Sequence, residues 1–213
     1  MTQSLLANPI WHALTGPHAQ FAEVHGTARR YRRDVSVFSA VDTLDETGWD
    51  DLAACVDSKR GGVLVLRDEP PPAAPGWSEL ARFDLDQMVA TSVDEPNSAD
   101  WRDLGPDDVD AMVELTALTE PGPFLPGTAQ FGGYVGVFDG DRLVTMAGQR
   151  VHLPGYTEVS AVCTHPDARS WARRRRHVRG CVAHHRPRRT RLPPRTARQR
   201  TGENALPTPR VSP

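Results

Sequence analysis

The 213-residue chain has a single lysine, Lys59, among its 25 basic residues. Arginine supplies the rest. With abundant alanine, proline and glycine, this points to a GC-rich gene in which CGN arginine codons stand where AT-rich lysine codons would. Cysteine is also scarce. Cys55, Cys163 and Cys181 lie far apart with no CxxC pair. That spacing argues against a disulfide framework or a zinc site and reads as reduced thiols in a cytoplasmic protein. No apolar run is long enough to cross a bilayer, so no membrane partner is expected. The amino terminus lacks the basic, apolar and small-residue layout of a secretory leader. Finally, no glycine occurs between Gly155 and Gly180.

Charge is present in both signs but unevenly placed. The formal net charge of −2 hides two segments. From Arg169 onward there are fourteen arginines and one acid, Glu203, so that tail carries about +13. The 11 basic and 26 acidic residues before it give about −15. The switch is abrupt. His165-Pro166-Asp167-Ala168-Arg169 is followed by Ser170-Trp171-Ala172 and the run Arg173-Arg174-Arg175-Arg176.

Up to that junction the chain reads as α/β. Asn8-Pro9 predicts a helix start with proline at the first helical position. Val35–Val41 alternates like a half-buried strand. Thr43, three residues before Glu46, predicts a capping box opening a helix with Trp49, Leu52, Ala53 and Val56 on one stripe. Gly61–Leu66 ends in a short apolar run expected to be a buried strand, and Pro70–Gly76 can only be a loop. Ala81–Val89 is expected to be a further strand. Asp94–Ala99 looks like a linker and sets a boundary between a first unit, 1–97, and a second, 98–168.

The second unit is sharper. Trp101–Leu104 reads as a strand and Gly105-Pro106-Asp107-Asp108 opens a helix whose buried face is Val109, Met112, Val113 and Thr116. Pro121-Gly122-Pro123 ends it. Asp139-Gly140-Asp141 between two apolar runs, Gly133–Phe138 and Arg142–Ala147, is a hairpin signal. Pro154-Gly155 marks another turn, and Tyr156–Thr164 is the next strand.

This order of strand, helix, hairpin and strand, closing on Glu158–Thr164 and His165-Pro166-Asp167-Ala168-Arg169, resembles the GNAT superfamily of N-acetyltransferases. The resemblance covers Trp101–Arg169. It implies a mixed, mainly antiparallel sheet flanked by helices, acetyl-CoA as co-substrate, and a small-molecule or peptide amine as acceptor. It also implies that Val162, Cys163 and Thr164 offer backbone groups to the pantetheine arm. Arg169 would open the pyrophosphate-binding loop. Glu158 matches the position of a general base, which the reaction needs because an amine is protonated at neutral pH. A solvent-facing strand glutamate is an equally open reading of that residue. Cys163 has no evident histidine partner and reads as a small strand residue, not a nucleophile.

The family continues Arg-Gly-x-Gly-x-Gly/Ala into a helix, whose backbone N–H groups cradle phosphate. This chain has Ser170-Trp171-Ala172-Arg173 instead. Arginine side chains can contact phosphate but cannot reproduce the close backbone approach that glycine permits.

The genetic code suggests why. With CGN for Arg and CTN for Leu, each codon of the tail can be regrouped one base later. Trp171-Ala172 then gives Gly, and its neighbours permit the glycine loop. From Arg189 onward the permitted residues include F-L-H-V-x-x-D-N-x-x-A-x-x-L-Y-x-x-L-G-F, which resembles the usual close of a GNAT domain. Most regrouped codons admit several residues, but the agreement is in register at both ends of the tail. The regrouping predicts a frameshifted tail and an acetyltransferase impaired in this copy. The alternative is a genuine disordered basic tail, bound to nucleic acid through phosphate contacts on a non-enzymatic module. Either way, 169–213 lacks the apolar periodicity of a packed core.

Overall fold

A computed structural model describes residues 5–56, 61–90, 92 and 101–168. The expected Arg/Pro-rich tail, 169–213, lies outside the described residues.

Helix α1 (Pro9–Leu14) starts where Asn8-Pro9 predicts and buries Ile10, Ala13 and Leu14. Asn8 does not cap it with its side chain. Its amide instead donates to the Val41 carbonyl at 2.8 Å, in a buried bond across 33 residues. A turn of 3-10 helix, Ala19–Phe21, leads into β1 (Ala22–His25), β2 (Ala28–Tyr31) and β3 (Ser39–Ala40). These form a three-stranded antiparallel sheet in chain order.

The strand expected over Val35–Val41 contracts to Ser39–Ala40. The N–H groups of Val35 and Ser36 both donate to the Arg32 carbonyl, at 3.0 and 3.2 Å, so the chain turns where its alternation predicts extension. Helix α2 (Glu46–Ala54) forms, but its cap is Asp45 and not the expected Thr43–Glu46 box. The Asp45 carboxylate accepts from the Gly48 N–H at 2.8 Å, while the Thr43 hydroxyl donates to its other oxygen at 3.0 Å. These bonds hold the Asp45 carboxyl below its usual range, the Gly48 N–H first and the Thr43 hydroxyl next. A Cβ at Gly48 would overlap the Thr43 carbonyl, which explains a glycine inside the first turn. On the predicted stripe Leu52 is buried and Trp49 stacks at a tilt on Trp77, with ring centroids 5.2 Å apart.

Two further expected strands are absent as strands. Within Gly61–Leu66 the pairing is a parallel bridge between Phe38 and Leu64. Ala81–Val89 has no regular structure, and Phe83 and Leu85 are exposed. Alternation makes a strand only where a partner backbone accepts its hydrogen bonds.

In the second half the elements follow the sequence closely. They are β4 (Arg102–Asp103), a 3-10 turn Pro106–Asp108, α3 (Val109–Thr119), a 3-10 segment Pro126–Phe131, and three long strands. The strands are β5 (Val135–Asp139), β6 (Arg142–Leu153) and β7 (Tyr156–Thr164). They make a four-stranded antiparallel sheet in the order β4-β5-β6-β7. Asp139 pairs with Arg142, so Gly140-Asp141 is the hairpin turn, and Gly140 takes the positive φ of 62° that such a turn demands. α3 buries Met112, Leu115 and Thr116.

The boundary expected at 97/98 falls in 93–100, outside the described residues. One buried cluster draws on both sides of it: Ile10, Leu14, Phe21 and Tyr31 pack with Met112, Leu115, Met146 and Leu153. Val137 on β5 and Val144 on β6 form a smaller cluster with Ala168, and Trp101 packs against it. The result is an α/β fold of mainly antiparallel sheets with helices on their faces, as the sequence predicts.

Candidate functional site

The predicted site residues lie on β7, which ends the four-stranded sheet; no described strand pairs with its outer edge. Its inner edge is irregular at two points. Met146 opposes Cys163 and Gly148 opposes Ser160, so Ala147 alone faces Ala161 and Val162. That is a β-bulge, which bends a strand and re-aims its neighbours. Ala161 sits in it at φ 51°, a left-handed conformation that costs a non-glycine residue about 1–2 kcal/mol. The second bulge is on β6. Gln149 opposes Val159 and His152 opposes Thr157, leaving Arg150 and Val151 against Glu158 alone.

Val162 lies within the first bulge, and Cys163 and Thr164 follow it directly. Val162 is exposed. Cys163 is buried, and burial pushes its thiol above the ordinary range, against smaller opposing effects of hydrogen bonding to Thr119 and the Met146 backbone. The Cys163 side chain packs into the main buried cluster. The Thr164 hydroxyl lies 3.3 Å from that of Thr145. Arg169 lies outside the described residues.

Glu158 is at the other end of the strand and is not free. The Arg150 guanidinium forks onto its carboxylate, with Nε–Oε2 at 3.0 Å and Nη2–Oε1 at 2.5 Å. The pair is partly open to solvent, with side-chain exposures of 23% for Arg150 and 36% for Glu158. The Arg150 guanidinium carbon lies 5.2 Å from the Phe38 ring centroid. Tyr31 feels both charges. Burial raises its hydroxyl well above the ordinary range, Glu158 adds to that, and Arg150 opposes it.

The sequence reading missed Arg150, Phe38 and Tyr31. The two aromatics come from the first unit, before residue 97, and nothing in their local pattern points to β7. Arg150 carried one signal, a long cation that follows the small and apolar stretch Met146-Ala147-Gly148 by two residues.

Behind this pair lies a buried ring cluster. His18 Nδ1 is 2.8 Å from the Tyr31 hydroxyl. The His18 ring stacks on Phe131, centroids 4.8 Å apart, and meets His152 edge-on at 4.9 Å. Burial first, and His152 second, lower His18 to about 4. Among the described residues no group of three or more His, Cys, Asp or Glu could hold a metal ion. Among them, too, no helix is long and apolar enough to cross a membrane.

No family model matches the sequence. No curated protein matches it either. A solved structure does: the 1.80 Å crystal structure of a protein from Novosphingobium aromaticivorans, assigned to the GNAT family of acetyltransferases. The likeness has a TM-score of 0.68 at 27% sequence identity and covers 85% of this chain and 80% of that one. In fold and in sequence, therefore, this chain is similar to an acetyltransferase of the GNAT family.

Proposed function

We propose that this chain is an N-acetyltransferase that uses acetyl-CoA and an amine acceptor, and that this copy holds acetyl-CoA weakly. The observation that carries the reading is the bulge at Ala161 and Val162, leading directly into Cys163 and Thr164 on an edge that no described strand pairs with. An edge strand offers a row of N–H and C=O groups. A pantetheine arm, with its two amides, can add to that row as a peptide strand would. The residues present fit that arm. The segment after Ala168 does not fit the pyrophosphate end, because Ser170-Trp171-Ala172 and four arginines stand where a glycine cradle is needed.

Acetyl-CoA would supply an acetyl group activated as a thioester. The chain's own groups would do the rest. Glu158 would take the proton that the ammonium must lose before it becomes nucleophilic. Arg150 would orient that carboxylate through its two-pronged bond. Glu158 precedes Ala161 by three residues, about 10 Å of strand. A side chain and one bridging water can span that distance.

Isothermal titration with acetyl-CoA tests both halves of the reading. The chain as written should show no binding at micromolar concentrations, whereas a chain with its reading frame restored after Ala168 should bind and transfer acetyl groups. Micromolar binding by the chain as written would refute the impairment. Failure of the restored chain to bind would refute acetyltransfer. The gene sequence across codons 165 to 175 shows directly whether a single base separates the two.

A second reading rests on the tail's charge of about +13. It makes the chain a nucleic-acid-binding module. Salt-dependent DNA binding that disappears on truncation after Ala168 would favour it.

A further inference from the structure

The Arg150–Glu158 pair leaves binding capacity unused. Arg150 spends Nε and Nη2 on Glu158, and its Nη1 has no hydrogen-bond partner among the described residues. Glu158 presents two oxygens, each with lone pairs beyond the bond it accepts. A simple amine would satisfy the carboxylate but leave the three remaining guanidinium N–H groups without a ligand. A ligand carrying an ammonium beside a carboxylate would satisfy both, its charges running opposite to those of the pair. Phe38 lies against the guanidinium and limits how its plane can turn.

We infer that Arg150 and Glu158 form the recognition site of an acceptor that carries a carboxylate next to its amine, a free α-amino acid. The inference rests on the acetyltransferase reading for the fate of the amine, and on geometry for its recognition. Arg150 binds the acceptor carboxylate through the Nη1 N–H groups that Glu158 leaves open. Glu158 binds the ammonium and stands ready to receive its proton. The partial exposure of both side chains lets a small ligand approach without first breaking the pair. An amide or ester of the same amino acid loses the anion, and the corresponding simple amine loses the whole group.

The test is calorimetric titration of the full chain with the proteinogenic α-amino acids, in the absence of acetyl-CoA. For the best binder, its carboxamide and its decarboxylated amine are titrated next. The expected result is binding of at least one amino acid at about 1 mM or tighter. Both analogues should bind about tenfold or more weakly. Arg150→Gln should abolish the preference for the amino acid over its analogues, Arg150→Lys should keep part of it, and Glu158→Gln should weaken the amino acid and both analogues alike, about tenfold or more, because all three carry the ammonium. Should Arg150→Gln fail to fold, Glu158→Gln still decides, because its amide oxygen can accept from Arg150. No binding by any amino acid overturns the inference. So does equal binding of amino acid and amine, or binding by Glu158→Gln as tight as by the native chain. Because acetyl-CoA is left out of these titrations, they stand apart from the acetyltransferase reading. Amino-acid binding by a frame-restored chain that ignores acetyl-CoA would sink that reading and leave this site intact.

Discussion

The Thr128 hydroxyl donates to the Val35 carbonyl at 2.6 Å, across 93 residues of chain. The same oxygen accepts from the Leu125 N–H at 2.9 Å. Beside it the Gly127 N–H donates to the Asp34 carbonyl at 2.9 Å. One buried threonine therefore ties the turn before β3 to the segment that leads into β5.

Replacing Thr128 with valine keeps the shape and removes both bonds, leaving the buried Val35 carbonyl and the partly buried Leu125 N–H unpaired. The expected loss is about 1–3 kcal/mol of unfolding free energy. Serine at this position should recover most of it. Urea denaturation of the full chain checks both variants. A loss within about 0.5 kcal/mol for valine, no more than an ordinary surface substitution costs, would mean that this tie does not hold the two segments together.

His18 sets a pH dependence. Its folded-state value is about 4, below the ordinary 6.5 of the unfolded chain. The unfolded chain therefore binds the extra proton first as pH falls. The contribution of the neutral ring is complete above about pH 6.5 and declines as pH drops toward 4. One proton limits the slope to about 1.4 kcal/mol per pH unit. Thermal melts from pH 4 to 7 should show this rise, and His18→Phe should flatten it. An equally steep rise in the variant would assign the dependence to other groups.

Ala161 at φ 51° is strained. Glycine reaches that conformation freely, so Ala161→Gly should raise stability by about 0.5–1 kcal/mol, and Ala161→Val should lower it by more. Denaturant midpoints measure both. If glycine destabilises, the residue is not held in the left-handed region in solution.

The thiols of Cys55 and Cys163 are buried, and burial raises both, Cys55 to about 11. A thiol so held exposes little thiolate at neutral pH. Iodoacetamide should leave both unmodified in the native chain and alkylate both in guanidinium, as peptide mapping would show. Fast labelling of Cys163 in the native chain would reopen a nucleophilic role for it.

The second half of the fold was legible because its signals are local. Asp139-Gly140-Asp141 demands a hairpin whatever surrounds it, and Pro106 with two aspartates opens a helix on its own terms. β7 was read to its true ends, Tyr156 and Thr164, because turn residues bound it on both sides. The first half was less legible. Val35–Val41 and Ala81–Val89 have the alternation of strands, but pairing depends on a partner that no local pattern reveals. The carboxylate capping α2 displaced the box that Thr43 suggested, because two acceptors competed for one set of N–H groups.

The same division runs through the site. The order of residues along one strand determined that Val162, Cys163 and Thr164 lie together, and the amino-acid composition determined that the tail after Ala168 departs from the pattern before it. Tertiary structure alone decided the two bulges, the strained Ala161, and the meeting of Glu158 with Arg150 under Phe38 and beside Tyr31. A bulge is a mismatch between two strands, and an ion pair across a sheet depends on register. Both are relations between distant stretches of chain, and a linear sequence specifies them only through the folded whole.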